Sequence, residues 1–184
     1  FTARDDNASA IAQVCQSLDG IPLAIELAAA RVRALPVQQI ADRLTDRFRL
    51  LTSGNRAALP RHQTLRAAVE WGYDLLSEAE ATLFNRLSIF VGGFTLESAE
   101  EVCSGGLVES ISVLDLVTQL VDKSLVIADH QSESLGRYTM LETLRQYGQE
   151  RISASGGRES VEASHSSYFE SLAEKAEPEL TGQH

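Results

Sequence analysis

Between Ser77 and Met140 the hydrophobic periodicity changes once, from helical to strand-like, and this change constrains the fold more than any other feature. Ser77-Glu78-Ala79-Glu80 is a capping box, a serine at the cap and a glutamate three residues on, and it opens a helix to about Leu87. A short apolar run over 87–91 ends at Gly92-Gly93. Thr95 can cap a helix over 96–103 that Ser104-Gly105-Gly106 ends, and Ser112 can cap another over 113–123. The stretch 125–129 is short and rich in branched apolar residues, so it reads as a strand. Residues 130–136 are polar turn material, and 137–140 can return as the paired strand. Helix, helix, helix, strand, turn, strand is the order of a winged helix with a small two-stranded wing.

The flanks read as helical. Asn7 can cap a helix over 8–18 with Ala8, Ile11, Ala12, Cys15 and Leu18 on one face. Asp19-Gly20 closes it, and Pro22 opens a helix over 22–34, since a first helical residue needs no N–H. Pro36 opens the next, over 37–44, striped by Val37, Ile40, Ala41 and Leu44; Phe48, Leu50 and Leu51 are expected to pack back on the bundle. Residues 52–61 lack periodicity and contain Ser53-Gly54-Asn55 and Pro60, which marks a domain boundary. A helix over 64–76 follows. After the wing come a helix over 141–155, ended by Gly156-Gly157, and a last helix over 160–176 that stops before Pro178. The chain is thus mainly α: a helical subdomain over 1–56, a winged-helix domain over 57–157, and over 158–184 a last helix that resembles the start of a helical, tetratricopeptide-like array.

Charge separates the two parts. Residues 1–70 hold nine arginines against seven acids, +2, whereas 71–184 hold seven basic side chains against nineteen acidic ones, −12. The acidic part repels phosphate backbones. The expected third helix of the winged helix carries Asp115 and Asp122, Lys123 as its single base, and the apolar Val113, Leu114, Leu116, Val117, Leu120 and Val121, a composition suited to protein rather than to a DNA groove. No uncharged run reaches the ~18 residues of a membrane helix, so no membrane partner is expected. Cys15 and Cys103 fit neither a disulfide framework nor a metal site and read as small buried hydrophobes in a reducing cytoplasm.

A phosphate-binding loop, GxxxxGK[ST], requires glycine before its lysine. Asp122 precedes Lys123, and Lys175 is followed by alanine. Residues 125–129 also resemble a metal-binding strand, but without a phosphate loop they read as a wing strand. His62, His130, His165 and His184 have no metal-ligand spacing, and no catalytic constellation is visible, so the chain reads as a non-enzyme.

Five blocks carry a family resemblance. Gly20-Ile21-Pro22-Leu23-Ala24-Ile25 resembles the GLPLA motif of NB-ARC ATPases, the STAND class of nucleotide-operated switches. The segment from Arg61-His62-Gln63-Thr64-Leu65-Arg66 to Trp71-Gly72-Tyr73-Asp74-Leu75-Leu76 resembles the opening of the winged-helix part in actinobacterial LuxR-type and SARP-type transcriptional regulators. Leu87 to Glu97, Leu120 to Val126 and Tyr138 to Tyr147 resemble the later blocks, in family order. The resemblance implies that Gly20 and Pro22 lie at an adenine site and that Met140 and Glu142 match the outer positions of the family's MHD triplet. Leu141 stands where the family has a phosphate-sensing histidine and cannot donate that hydrogen bond. Met140 and Leu141 can equally be core residues where strand meets helix.

The phosphate loop, metal-binding strand and sensor arginine of the family would precede Phe1. The expectation is therefore a regulatory fragment of a cytoplasmic transcriptional regulator, with no cofactor of its own and ATP or ADP with magnesium bound by the full-length parent. Its partners would be an upstream ATPase core and downstream helical repeats of the same chain, with no direct DNA binding. The alternatives are a DNA-binding winged helix, supported by the arginines over 31–66, and a plain protein-interaction scaffold.

Overall fold

The computed structural model describes residues 4–18, 20–52, 60–129 and 136–181. The expected boundary at 56/57 and the wing turn at 130–135 lie outside these residues, as do the side chains of Phe48, Leu50 and Leu51. The chain divides into two compact units, Phe1–Leu76 with Asp122–Ser124, and Ser77–Val121 with Leu125–His184.

The first unit contains helices α1 (Asp5–Ser17), α2 (Pro22–Ala30), α3 (Val37–Thr52) and α4 (Pro60–Asp74), with a 3-10 turn at Arg31–Arg33. Asn7 lies inside α1 rather than capping it: its Oδ1 accepts the Arg4 N–H at 2.9 Å, reaching back to the residue before the helix. Gly20, with φ of 67°, donates its N–H to the Cys15 carbonyl and satisfies one of the orphan acceptors at the end of α1. Pro22 then occupies the first helical position. The helix expected over 22–34 tightens into the 3-10 turn after Ala30. There the buried Arg31 donates from Nη2 to the Gly72 carbonyl of α4 at 2.8 Å. The core joins Val14 and Leu18 of α1, Ala24 and Ala28 of α2, Ile40, Ala41 and Leu44 of α3, and Ala68 and Trp71 of α4. Helix α4, grouped with the winged helix in the sequence reading, thus contributes its buried face to the first unit. Alanines on α2 and α4 let these helices approach closely, and α2 packs on α4.

The second unit runs α5 (Glu78–Leu87), β1 (Phe94–Thr95), α6 (Leu96–Cys103), a 3-10 turn (Ser110–Ser112), α7 (Val113–Asp122), β2 (Ile127–Asp129), β3 (Arg137–Thr139), α8 (Glu142–Ala154) and α9 (Arg158–Thr181). Two of the three expected caps form, whereas Ser112 ends a 3-10 turn that runs directly into α7. Ser77 Oγ accepts the Glu80 N–H while the Glu80 carboxylate accepts the Ser77 N–H at 2.7 Å, and Thr95 and Ser98 make the same reciprocal pair. The interior is built on Leu83, Phe84, Leu87, Val113, Leu120 and Leu144, all at most 1% exposed.

The sheet has the order β1-β3-β2, antiparallel throughout. β2 and β3 are the expected wing pair, in the register Ala128 opposite Tyr138; Leu125 and Val126, included in the expected strand, are buried in the approach to it. β1 is a third strand, at Phe94, where no periodicity announced it. Gly93, with φ of 104°, makes it possible: a Cβ there would lie 2.6 Å from the Tyr138 carbonyl oxygen, so only glycine lets the chain come against β3. The Phe94 and Tyr138 rings then stack across the two strands, 5.7 Å apart.

Helix α9 was expected to stop before Pro178 and instead runs through it to Thr181. A proline removes one helical hydrogen bond and disfavours a helix interior without forbidding it. The N-terminal half of α9 docks on the unit through Val161 and an aromatic cluster in which His165 lies 5.2 Å from Phe90 and 4.6 Å from Phe169.

Candidate functional site

The winged helix presents α7 as its groove-reading candidate. Val113, Leu116, Val117 and Leu120 point into the unit's own core. The apolar character that suggested a protein-facing helix is therefore mostly satisfied at home. The outward face carries Leu114, Asp115, Thr118, Gln119 and Asp122, with no lysine or arginine. The Thr118 hydroxyl donates to the Leu114 carbonyl within the helix, at 2.8 Å. Just before α7, Leu107 is 55% and Ile111 88% exposed, and Leu114 is 47% exposed. These three side chains give this end of the unit an apolar edge that the sequence reading did not isolate, because helical periodicity does not extend into the loop and 3-10 turn that hold two of them. Arg137, exposed on the wing, lies 3.4 Å from the Gly92 carbonyl through Nη2.

The four residues matched to a nucleotide site fall in two units. Gly20 and Pro22 are exposed at the start of α2 in the first unit. Met140 and Glu142 belong to the second, at the passage from β3 to α8. Met140 is half-buried. Leu141, for which a core position was one of two readings, is 38% exposed; it stands at the N-cap of α8 with extended backbone, ahead of the buried Leu144. Glu142 has a local role: its carboxylate accepts from Arg145 Nε and Nη2, each at 2.8 Å, and from Gln146 Nε2 at 2.9 Å. These bonds favour the charged form at the start of a helix, where the macrodipole does the same.

The hydrogen bond from Arg145, then that from Gln146, hold the Glu142 carboxyl below its ordinary value of 4.5. A carboxylate lowered in the folded state contributes stability that is present above the unfolded value and disappears as pH falls through the folded one. The expected result is an NMR titration midpoint for Glu142 below 4.5 that moves back up toward it in Arg145→Ala.

Buried chemistry is sparse. Burial pushes the Cys103 thiol up to about 12, against a smaller opposing pull from the Arg86 guanidinium, so it is inert as a nucleophile. Among the described residues no group of three His, Cys, Asp or Glu could hold a metal, and no helix is long and apolar enough to cross a membrane.

The element order, the antiparallel wing and the placement of α7 meet in one comparison. Residues 76–153 match the winged helix-turn-helix domain. Relatives extend the likeness beyond that domain. Proteins of Mycobacterium bovis and Mycobacterium tuberculosis, both provisionally named HTH-type transcriptional regulators, are 50% identical over 173 residues, which is 94% of this chain and 19% of each of them. An uncharacterized protein of Mycobacterium tuberculosis is 40% identical over 162 residues, 88% of this chain and 41% of its own length. The chain thus spans about a fifth of the length of the named relatives it matches. The winged helix-turn-helix match starts at residue 76, beside the division between the two compact units at Leu76/Ser77.

Proposed function

We propose that this chain is a regulatory segment of a DNA-binding transcriptional regulator, carried in the cytoplasm within a longer protein, and that it is not an enzyme. The winged helix-turn-helix match and the names of the relatives support the regulatory role. The observation that carries the finer reading is the outward face of α7, with Asp115 and Asp122 and no basic residue, in a part of the chain with net charge −12. DNA readers draw most of their affinity from neutralising phosphates, and this helix brings none of the charge that does so. The winged helix-turn-helix domain therefore meets protein, and the DNA reader lies elsewhere in the regulator. The resemblance of Gly20-Pro22 and Met140-Glu142 to NB-ARC motifs suggests which protein: an upstream core that binds ATP or ADP with magnesium, whose nucleotide state the two units would relay, with helical repeats following α9.

The second reading, DNA contact by the winged helix-turn-helix domain itself, is favoured by its fold and by the relatives' names. Fluorescence anisotropy of this chain against a pool of random duplexes, followed by selection, separates the two. The expected result is weak binding that vanishes between low and physiological salt and enriches no sequence. A sequence-specific complex surviving physiological salt would make α7 a groove reader in spite of its charge.

A further inference from the structure

The acidic second unit contains a cleft of about 510 Å³ that no carboxylate lines. It lies between α5, the Ser104-Gly105-Gly106 loop after α6, the end of α8 and the first turns of α9. Its one charged side chain is Arg86. The half-buried guanidinium is pinned by Nη1, which donates to the Cys103 carbonyl at 2.7 Å and to the Gly105 carbonyl at 2.8 Å. Among the described residues Arg86 has no acidic partner and its Nε and Nη2 donate to no protein group; Nη2 faces Gly106, 3.9 Å from where a Cβ would stand. The hydroxyls of Ser104, in the loop after α6, and of Ser160, in α9, likewise have no protein partner among the described residues. A unit with nearly three acids for every base over 71–184 thus keeps a fixed, unpaired arginine and two open hydroxyls facing a cleft free of acids.

We infer that this cleft binds a small phosphate-bearing anion. A guanidinium held rigid by carbonyls and left with two free donor nitrogens suits a tetrahedral oxyanion, and open serine hydroxyls add donors around it. The first two turns of α9 line the same cleft through Ser160, Val161 and Ser164. Val102, Ile152 and Val161 form an apolar wall. The volume falls in the range of small-molecule sites, ~300–1,000 Å³, and exceeds what phosphate alone would fill, so a phosphate monoester with an organic body fits better than the free ion. This site is independent of the resemblance-derived nucleotide residues and of what α7 touches.

The test follows backbone amide shifts by NMR in the whole chain, titrated with inorganic phosphate, glycerol 3-phosphate and adenosine monophosphate against chloride at constant ionic strength. Saturable shifts are expected at Gly105, Gly106 and Ser160, and both esters are expected to bind more tightly than phosphate. Equal affinity for all three would identify the free ion as the occupant and keep the site. Two variants are compared. Arg86→Gln removes the charge together with the loop anchor. Ser160→Asp puts a carboxylate in the first turn of α9, where it favours the helix, so the fold is kept while the cleft turns repulsive; binding is expected to weaken about tenfold or more. Absence of localised, saturable shifts, or unchanged affinity in a folded Ser160→Asp, overturns the inference. A short duplex DNA that shifts these amides more strongly than the phosphates also overturns it, in favour of a nucleic-acid backbone.

Discussion

Trp71→Ala is expected to destabilise the first unit by about 3–5 kcal/mol, the usual range for removing a buried aromatic side chain. Trp71 is 5% exposed and shares its core with Val14 and Leu18 of α1, Ala28 of α2 and Leu44 of α3. A close-packed core relaxes only partly into the void such a truncation leaves, and the four alanines of this cluster, Ala24, Ala28, Ala41 and Ala68, are too short to reach into it. Domains of this size have total stabilities of roughly 5–15 kcal/mol, so the unit would be left marginal. Calorimetry is the measurement. At about 4–8 °C per kcal/mol for a small domain, the transition of the first unit should fall by more than about 12 °C while that of the second stays in place. If the second transition moved instead, α4 would belong energetically to the winged helix-turn-helix domain, as the sequence reading had it.

Gly148→Val is expected to cost the second unit about 3 kcal/mol or more, as overpacking of a closed interface does. Gly148 lies in the interior of α8, where alanine would by propensity alone gain about 1 kcal/mol. Sterics oppose that gain. A Cβ on Gly148 would stand 2.8 Å from the Cβ of Ser88 and 3.4 Å from Cε1 of Phe84. Neither neighbour can yield. Ser88 is 1% exposed, its hydroxyl donates to the Asn85 carbonyl at 2.6 Å, and its own carbonyl accepts from Gln149; Phe84 is fully buried. Chemical denaturation should show a smaller loss for Gly148→Ala and partial recovery when Ser88→Gly is added, since that change removes the closest atom. Equal losses with and without Ser88→Gly would mean that the helix approach is set by some other contact.

Local chemistry made some features readable. The capping box expected at Ser77 and the cap expected at Thr95 are local hydrogen-bond exchanges between residues three apart, and both form; the reciprocal bond from Thr95 N–H to Ser98 was not foreseen. Pro22 opens α2 because its missing N–H costs nothing there. The candidate site was less legible. Glu142 was marked by resemblance, and the structure adds a local reason for it in the bidentate bond from Arg145. Arg86 carries no local mark at all: its meaning depends on the absence of acids from walls supplied by α5, the loop after α6, α8 and α9, which are distant in sequence. The only hint was the scarcity of bases after residue 70.

By itself the sequence determined the helical character, the pair of wing strands and its placement after three helices, the caps at Ser77 and Thr95, and the division of charge between the two parts. These depend on spacing, on side chains within one turn of each other, or on simple counting. Tertiary structure alone decided that α4 completes the first unit, that β1 joins β3 through the gap Gly93 leaves, that most apolar residues of α7 turn inward while Leu114, and Ile111 in the turn before it, do not, and that an unpaired arginine faces a cleft without acids. Each of these rests on which distant surfaces meet, and one helical stripe or one apolar pair fits several neighbours equally well until the packed core selects among them.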